Sequence, residues 1–247
     1  MMAQILCFGL IGLISAIVGT GTGGLLAFVI NRKDNRFLGG VLEFSAGLML
    51  SVVCFELIPE AFNYSGAVAA LSGTVCGIFF VIVMDDLIRR THTVATGDDN
   101  RSGLIKAGIL VAVGVALHNL PEGFAIGSGY EASIKMGSTL TFIITLHDIS
   151  EGIAMAVPMS AGGLSKIKAL WITLLTGVPG GVGAFIGAIF GRISPTFISG
   201  CLGFAGGAML YIVIGELIPE SKNLYKGRMS SVMNIAGFLC GLIISLI

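Results

Sequence analysis

The sequence FSAGLMLSVVCFELIPEAF at residues 44–62 returns in altered form as FAGGAMLYIVIGELIPESK at residues 204–222, a fixed offset of 160 residues. Each copy is an almost uncharged apolar run that leads into the acidic segment ELIPE. An apolar run of about 20 residues is long enough to cross a bilayer as an α-helix. The matched positions are Met49 with Met209, Glu56 with Glu216, Pro59 with Pro219, and Glu60 with Glu220.

Apolar runs of this kind recur along the whole chain. Of its 247 residues 55% are hydrophobic, 11% are charged and 37 are glycine, a balance unlike that of a soluble domain. Only helices and closed barrels satisfy their backbone groups inside lipid. We predict an all-α integral membrane protein, a single domain over residues 1–247 with no separate soluble part. Its eight transmembrane helices are predicted at roughly 4–30, 38–62, 67–88, 104–128, 137–158, 167–190, 197–217 and 229–247.

The basic residues indicate how these helices are oriented, because lysine and arginine accumulate in cytoplasmic loops. Twelve of the fourteen fall in alternate loops on one side of the membrane. These are Arg32, Lys33, Arg36, Arg89, Arg90, Arg101, Lys106, Lys166, Lys168, Lys222, Lys226 and Arg228, whereas Lys135 and Arg192 fall on the other side. We therefore expect a multi-pass protein of the plasma or inner membrane with both termini extracytoplasmic.

The offset of 160 also lays the first predicted helix on the sixth and the third on the eighth. Because the two ELIPE copies stand on the second and seventh helices, they run in opposite directions. Helices 1–3 and 6–8 then form an inverted repeat, which in membrane proteins usually brackets a binding site near the midplane. The alternative is that ELIPE only ends a helix, with its glutamates near water and its proline stopping the helix.

Two matched motifs carry the chemistry, HNLPEG at 118–123 on the fourth helix and HDISEG at 147–152 on the fifth. Each places a histidine and a glutamate four residues apart, on one helix face. Ionisable groups at a helix centre cost roughly 2.5–3.5 kcal/mol each, so five of them oppose insertion by something on the order of 10 kcal/mol. The polar groups are His118, Asn119, Glu122, His147, Asp148 and Glu151.

Imidazole nitrogens together with carboxylate oxygens suit zinc and other first-row divalent ions. Glu216 is the residue of the repeat best placed to join them, and Met49 and Glu56 repeat the pair formed by Met209 and Glu216. If Glu122, Asp148, Glu151 and Glu216 converge, two divalent ions balance their charge, which motivates a binuclear site as a hypothesis. A structural alternative makes each His–Glu pair an interhelical hydrogen-bonded contact. Glu43 has two interpretations, a ligand on the exit path or a side chain that reaches interfacial water.

On HNLPEG, HDISEG and the two ELIPE segments, the chain resembles the ZIP (Zrt-, Irt-like) family of divalent metal transporters, and more closely its ZupT or GufA branches. The resemblance covers nearly the whole chain. It implies a 3+2+3 helix arrangement, movement of helices 1, 4, 5 and 6 against the others, frequent homodimers, and transport of zinc, and also iron, manganese or cadmium, into the cytoplasm. The implied metal ligands are His118, Asn119, Glu122, His147, Asp148, Glu151 and Glu216, with Met49 near the entrance.

The predicted cytoplasmic loop at 91–103 departs from many family members, because it contains a single histidine, His92, with Asp98 and Asp99. A metal-sensing role for this loop is not predicted. Two other functions stay open at this point, a proton-coupled carrier of a small solute and an intramembrane metalloenzyme. The second lacks the HExxH motif of zinc proteases. The expected partners are the metal ion and the lipid bilayer, with no nucleic acid, no prosthetic group and no enzymatic activity.

Overall fold

The structure, a computed structural model, describes residues 2–29, 35–92 and 100–246, and these segments form helices without any β-strand. The α-helices are α1 (Met2–Leu26), α2 (Asn35–Val52), α3 (Ile58–His92), α4 (Asn100–Ala132), α5 (Ile134–Ala161), α6 (Lys166–Leu175), α7 (Val178–Gly191), α8 (Pro195–Ile212), α9 (Ile218–Leu224) and α10 (Arg228–Leu246). Two π-helical turns, π1 (Val53–Leu57) and π2 (Val213–Leu217), join α2 to α3 and α8 to α9.

Six helical stretches of the described residues are long and apolar enough to cross a membrane. The prediction of an all-α, multi-pass membrane protein is confirmed. One of these stretches, Asn35–Asp86, contains a sharp break at Ser65 and Gly66. Gly66 has a φ of 75°, a left-handed conformation that glycine adopts at low cost, so the chain turns there and α3 consists of two helical parts.

The π turns stand at equivalent positions of the sequence repeat, since Val53–Leu57 plus 160 gives Val213–Leu217. In each turn a backbone N–H bonds the carbonyl five residues earlier, from Ile58 to Val53 and from Ile218 to Val213. The proline that follows would clash with the carbonyl four residues before it in a regular α-helix. The wider turn removes this conflict, and the helix continues past both prolines instead of ending there.

The helices pack in pairs that the offset also relates. The pairs α3 with α8 and α2 with α10 contact each other extensively, as do α4 with α7 and α1 with α5. Glycines make the approach close, because a Cβ at Gly77 would collide with the backbone of Phe204, and one at Gly237 with that of Phe44. Likewise Gly123 meets the carbonyl of Gly180, and Gly152 meets that of Thr20. The two contacts in each pair are related by the sequence repeat. Equivalent residues of the outer helices differ by 160 in number, and equivalent residues of α4 and α5 differ by 29.

Contacts between the loops define two ends of the helix bundle. At the end that we call the basic end, Lys166 Nζ donates to the carbonyl of Phe28, and the Arg36 guanidinium lies 5.5 Å from the centre of the Tyr225 ring. The opposite end brings together the turn at Ser65, the start of α8 and the α4–α5 turn, where the Tyr64 hydroxyl donates to the Ala132 carbonyl. Arg32, Lys33, residues 93–99 and the side chains of Arg89, Arg90, Arg101 and Lys106 lie outside the described residues.

Candidate metal centre

The two His–Glu motifs meet in the middle of the bundle. The helices α4 and α5 are neighbours, α4 packs on α7, and α5 packs on α1. All six polar groups of the motifs are buried, with at most 8% of any residue exposed. The close glycine contacts at Gly123 and Gly152 bring the backbones of α7 and α1 against the faces beside the motifs. Lipid is thereby excluded from the polar side chains, as the sequence predicts.

Glu151 lies at the centre of this cluster. Its Oε1 atom lies 3.0 Å from His147 Nε2 and 3.9 Å from His118 Nδ1. On the other helix, Glu122 Oε1 lies 3.4 Å from His147 Nε2. Two ligand atoms bound at about 2.0–2.1 Å to a tetrahedral zinc ion lie roughly 3.3 Å apart, so the separations around His147 match those of atoms that share one ion.

A metal-ligand geometry is met by three of these groups together. Ligand atoms of Glu122, His147 and Glu151 all lie within 4.8 Å of one another, and all three residues are buried. The combination of one imidazole and two carboxylates is one that zinc and other first-row divalent ions accept.

Glu216 joins the cluster from a third helix. Its Oε2 atom lies 3.1 Å from His118 Nε2. The residue is the fourth of the five in π2, so the wide turn rather than a regular helix face presents its carboxylate to α4. The sequence repeat had pointed to Glu216, and the structure places it against the histidine of the first motif.

Asn119 is oriented by a break in the neighbouring helix. The break separates α6 from α7 at Thr176 and Gly177, just before Pro179, and leaves the Thr176 carbonyl available. Asn119 Nδ2 donates to that carbonyl at 2.7 Å. Because the amide nitrogen is held there, the Oδ1 atom is left as an acceptor in the buried interior.

The cluster contains more acceptors than donors. Among the six motif residues, the buried atoms without a hydrogen-bond partner in the described part of the chain are six oxygens and one ring nitrogen: both oxygens of Glu122, both oxygens of Asp148, Glu151 Oε2, Asn119 Oδ1 and His118 Nδ1. Burying one unsatisfied polar group costs about 1–3 kcal/mol, and more if it is charged. This shortage of donors disfavours the purely structural interpretation of the His–Glu pairs, since a cation would satisfy the same oxygens.

A residue that the sequence did not single out also contacts the site. The hydroxyl of Ser45 on α2, which is fully buried, hydrogen-bonds His147 Nδ1. Met49 follows one helical turn later and lies in the same buried apolar cluster as Met209. A metal-ligand role for Met49 stays a prediction. In the sequence, Ser45 is visible only as a hydroxyl inside an apolar helix, and this does not indicate which residue it contacts.

Glu43 does not reach interfacial water. It is 1% exposed, and its Oε1 atom accepts hydrogen bonds from Lys222 Nζ at 2.8 Å and from the hydroxyls of Ser221 and Ser230 at 2.7 Å each. This second polar cluster ties α2 to α9 and α10 near the basic end. Glu43 Oε1 accepts hydrogen bonds from three donors, so its role in the structure is to hold these helices together.

Comparison with known proteins gives one family. The model of the family described as ZIP Zinc transporter matches residues 89–247. The zinc transporter ZupT of Corynebacterium glutamicum is 31% identical over 239 residues, covering 89% of this chain and 91% of that protein. The zinc transporter GufA of Myxococcus xanthus is 29% identical over 248 residues, covering 96% and 98%. The zinc transporter ZupT of Akkermansia muciniphila is 30% identical over 244 residues, covering 90% of each.

Proposed function

Because the chain belongs to the ZIP zinc transporter family, we propose that zinc is its main cargo and that the buried His/Glu cluster is where the ion crosses the bilayer. The protein transports divalent metal ions, and the single observation that carries the assignment of the site is the convergence of Glu122, His147 and Glu151 within 4.8 Å. Iron, manganese and cadmium are further cargoes that the same ligand types accept.

A site for two ions accounts for the arrangement better than a site for one. Glu151 Oε1 lies between the two histidines. This single carboxylate therefore belongs to two ligand groups, one around His147 and the other around His118. Glu216 completes the group around His118. Four carboxylates, those of Glu122, Asp148, Glu151 and Glu216, carry a charge of minus four, which two divalent ions balance.

We propose an architecture of eight transmembrane helices in a 3+2+3 arrangement with an inverted repeat. Three features support it: the break at Gly66 divides α3, the helix pairs repeat with the offset of 160, and both π turns fall at the same position of the repeat. The glycine contacts of α4 with α7 and of α5 with α1 favour movement of these helices as one body against the rest.

The proposed direction of transport is into the cytoplasm across the cell membrane. The basic end gathers Arg36, Lys166 and Lys222, and lysine and arginine favour the cytoplasmic side. The termini would then be extracytoplasmic. A homodimer remains a prediction from the family resemblance.

The test is uptake of radioactive zinc into liposomes that contain only this protein. Wild type should accumulate zinc, and His118→Ala or Glu122→Ala should lose most of that uptake while remaining folded in the membrane. Glu60→Gln is the matched control, because Glu60 accepts a hydrogen bond from Asn63 near the opposite end of the bundle. If zinc, iron and manganese all fail to accumulate with wild type, yet peptide cleavage or solute uptake appears, the proposal is wrong.

A further inference from the structure

The internal two-fold relation of the bundle is broken at the metal centre. In the repeat, His118 is equivalent to His147, 29 residues later, and Glu56 is equivalent to Glu216, 160 residues later. A contact between His147 and Glu56 would therefore be the equivalent of the contact between His118 and Glu216. The first contact is present at 3.1 Å. The other partner of His147 on α2 is instead the hydroxyl of Ser45, and position 205, the equivalent of Ser45, is an alanine.

The surroundings of the two glutamates differ in the same way. The carboxylate of Glu216 contacts His118, and that of Glu220, one turn on, interacts electrostatically with Glu216, His118 and Glu151. The charges that act on Glu56 are those of Lys135 and Glu60, near the opposite end of the bundle. The metal centre is therefore joined to the π turn that leads to the basic end.

The local structures around Glu56 and Glu216 are nevertheless alike. Each is the fourth residue of a π turn, each is half-buried, and each is flanked by a buried leucine. The backbone of π1 can thus present a carboxylate inward as π2 does. What differs is the position of the metal-bearing helices between the two turns.

On the basis of the proposed function, we propose that Glu56 is a metal ligand in a second state of the carrier, in which the site opens to the opposite side of the membrane. In that state Glu56 joins His147 as Glu216 joins His118 in the structure described. Inverted repeats allow the second state of a carrier to exchange the conformations of its two halves. Glu56 then receives the ion at the extracytoplasmic side, and Glu216 accompanies it at the basic end.

Charge balance argues that the two glutamates alternate. Glu122, Asp148, Glu151 and Glu216 already balance two divalent ions, and a fifth buried carboxylate would be left without compensation. An unpaired charge in a low-dielectric interior is costly. In the present state the charges that act on Glu56 are those of Lys135, which favours its ionised form, and of Glu60, which opposes it, and not those of the four carboxylates of the site.

The experiment compares zinc transport from each side of sealed vesicles with uniformly oriented protein. In Glu56→Gln, the KM for zinc offered at the extracytoplasmic side should rise about tenfold, whereas the KM for zinc offered at the basic end stays within about twofold of wild type. Glu216→Gln should give the reverse pattern. Glu131→Gln, which changes a carboxylate at the same end of the bundle that pairs with Arg192 at 3.0 Å, should resemble wild type on both sides.

Equilibrium zinc binding supplies the second readout, which loss of folding alone would not reproduce. Purified Glu56→Gln should bind as many zinc ions as wild type, because Glu56 is outside the site in the structure described. If Glu56→Gln transports zinc as well as wild type does, with an unchanged KM, this inference is wrong and the proposed function stands. Equal KM changes on both sides would also overturn it. Absence of wild-type metal transport would instead refute the proposed function.

Discussion

The Nε2 atom of His118 lies 3.1 Å from a carboxylate oxygen of Glu216, which π2 presents from a different part of the chain. If two ions bind, this pair belongs to only one of them. Glu216→Gln should therefore reduce the zinc stoichiometry from two ions per chain to one, while the group around His147 keeps its ion. Equilibrium dialysis of purified protein measures the ratio. Equal stoichiometry in wild type, Glu216→Gln and the control Glu60→Gln would contradict the two-ion site.

Ser45 should act on the metal through His147. For Nε2 to bind a metal it must be unprotonated, so Nδ1 carries the hydrogen and donates it to the Ser45 hydroxyl. Loss of such an outer partner typically costs 10–100-fold in metal affinity. We expect Ser45→Ala to weaken zinc binding by about tenfold without changing the number of ions bound.

The matched control for Ser45 is Ser51→Ala, because Ser51 is also fully buried on α2 but packs on Gly241 of α10. Isothermal titration gives both affinities. Equal affinities for the two variants would exclude a positioning role for Ser45.

Gly123 should tolerate no side chain. A Cβ there would collide with the backbone carbonyl of Gly180, and backbone cannot rotate away as a side chain can. Gly123→Ala should force α4 away from α7, displace Glu122 and abolish most transport. Gly114→Ala on the same helix is the control, since the described residues leave open space at that position. Gly123→Ala should unfold at a lower temperature in detergent and take up less zinc than Gly114→Ala. Similar values for the two variants would contradict the close packing.

The buried carboxylate of Glu43 should stabilise the fold rather than bind cargo. Hydrogen bonds to charged groups contribute about 1.5–3 kcal/mol each, but Lys222 is 40% exposed, so its share is smaller. Glu43→Gln should lower the free energy of unfolding by about 1–3 kcal/mol. Because Lys222 is then left without its partner, the double variant Glu43→Gln/Lys222→Met should recover part of the loss. Additive losses, or a lower zinc stoichiometry in Glu43→Gln, would show that the contact has another role.

Local patterns in the sequence were sufficient to predict the part of the site that lies on α5. Four-residue spacing placed His147 and Glu151 on one face of α5, and their atoms do lie 3.0 Å apart. The repeat added Glu216, because an equivalent position on a related helix has an equivalent environment. Both inferences depend only on helix periodicity and on internal homology.

Contacts made by single polar groups across helices could not be predicted in the same way. Ser45 meets His147, and Asn119 meets the Thr176 carbonyl, only because of how α2 and α6 pack beside the site. The interpretation that Glu43 reaches water was wrong because its donors come from α9 and α10, far along the chain. The proline in ELIPE was interpreted only as a possible helix end, whereas the structure has a π turn before each proline and a helix that continues past it.

Each π turn makes the chain sensitive to changes of length as well as of composition. It contains one residue more than an α-helical turn. Deleting a single residue from Val213–Leu217 would restore a regular helix and, with it, the clash between Pro219 and the carbonyl four residues before it. Single-codon deletions should therefore be eliminated at these two turns in any selection for growth on scarce zinc, even when the deleted residue is an apolar one.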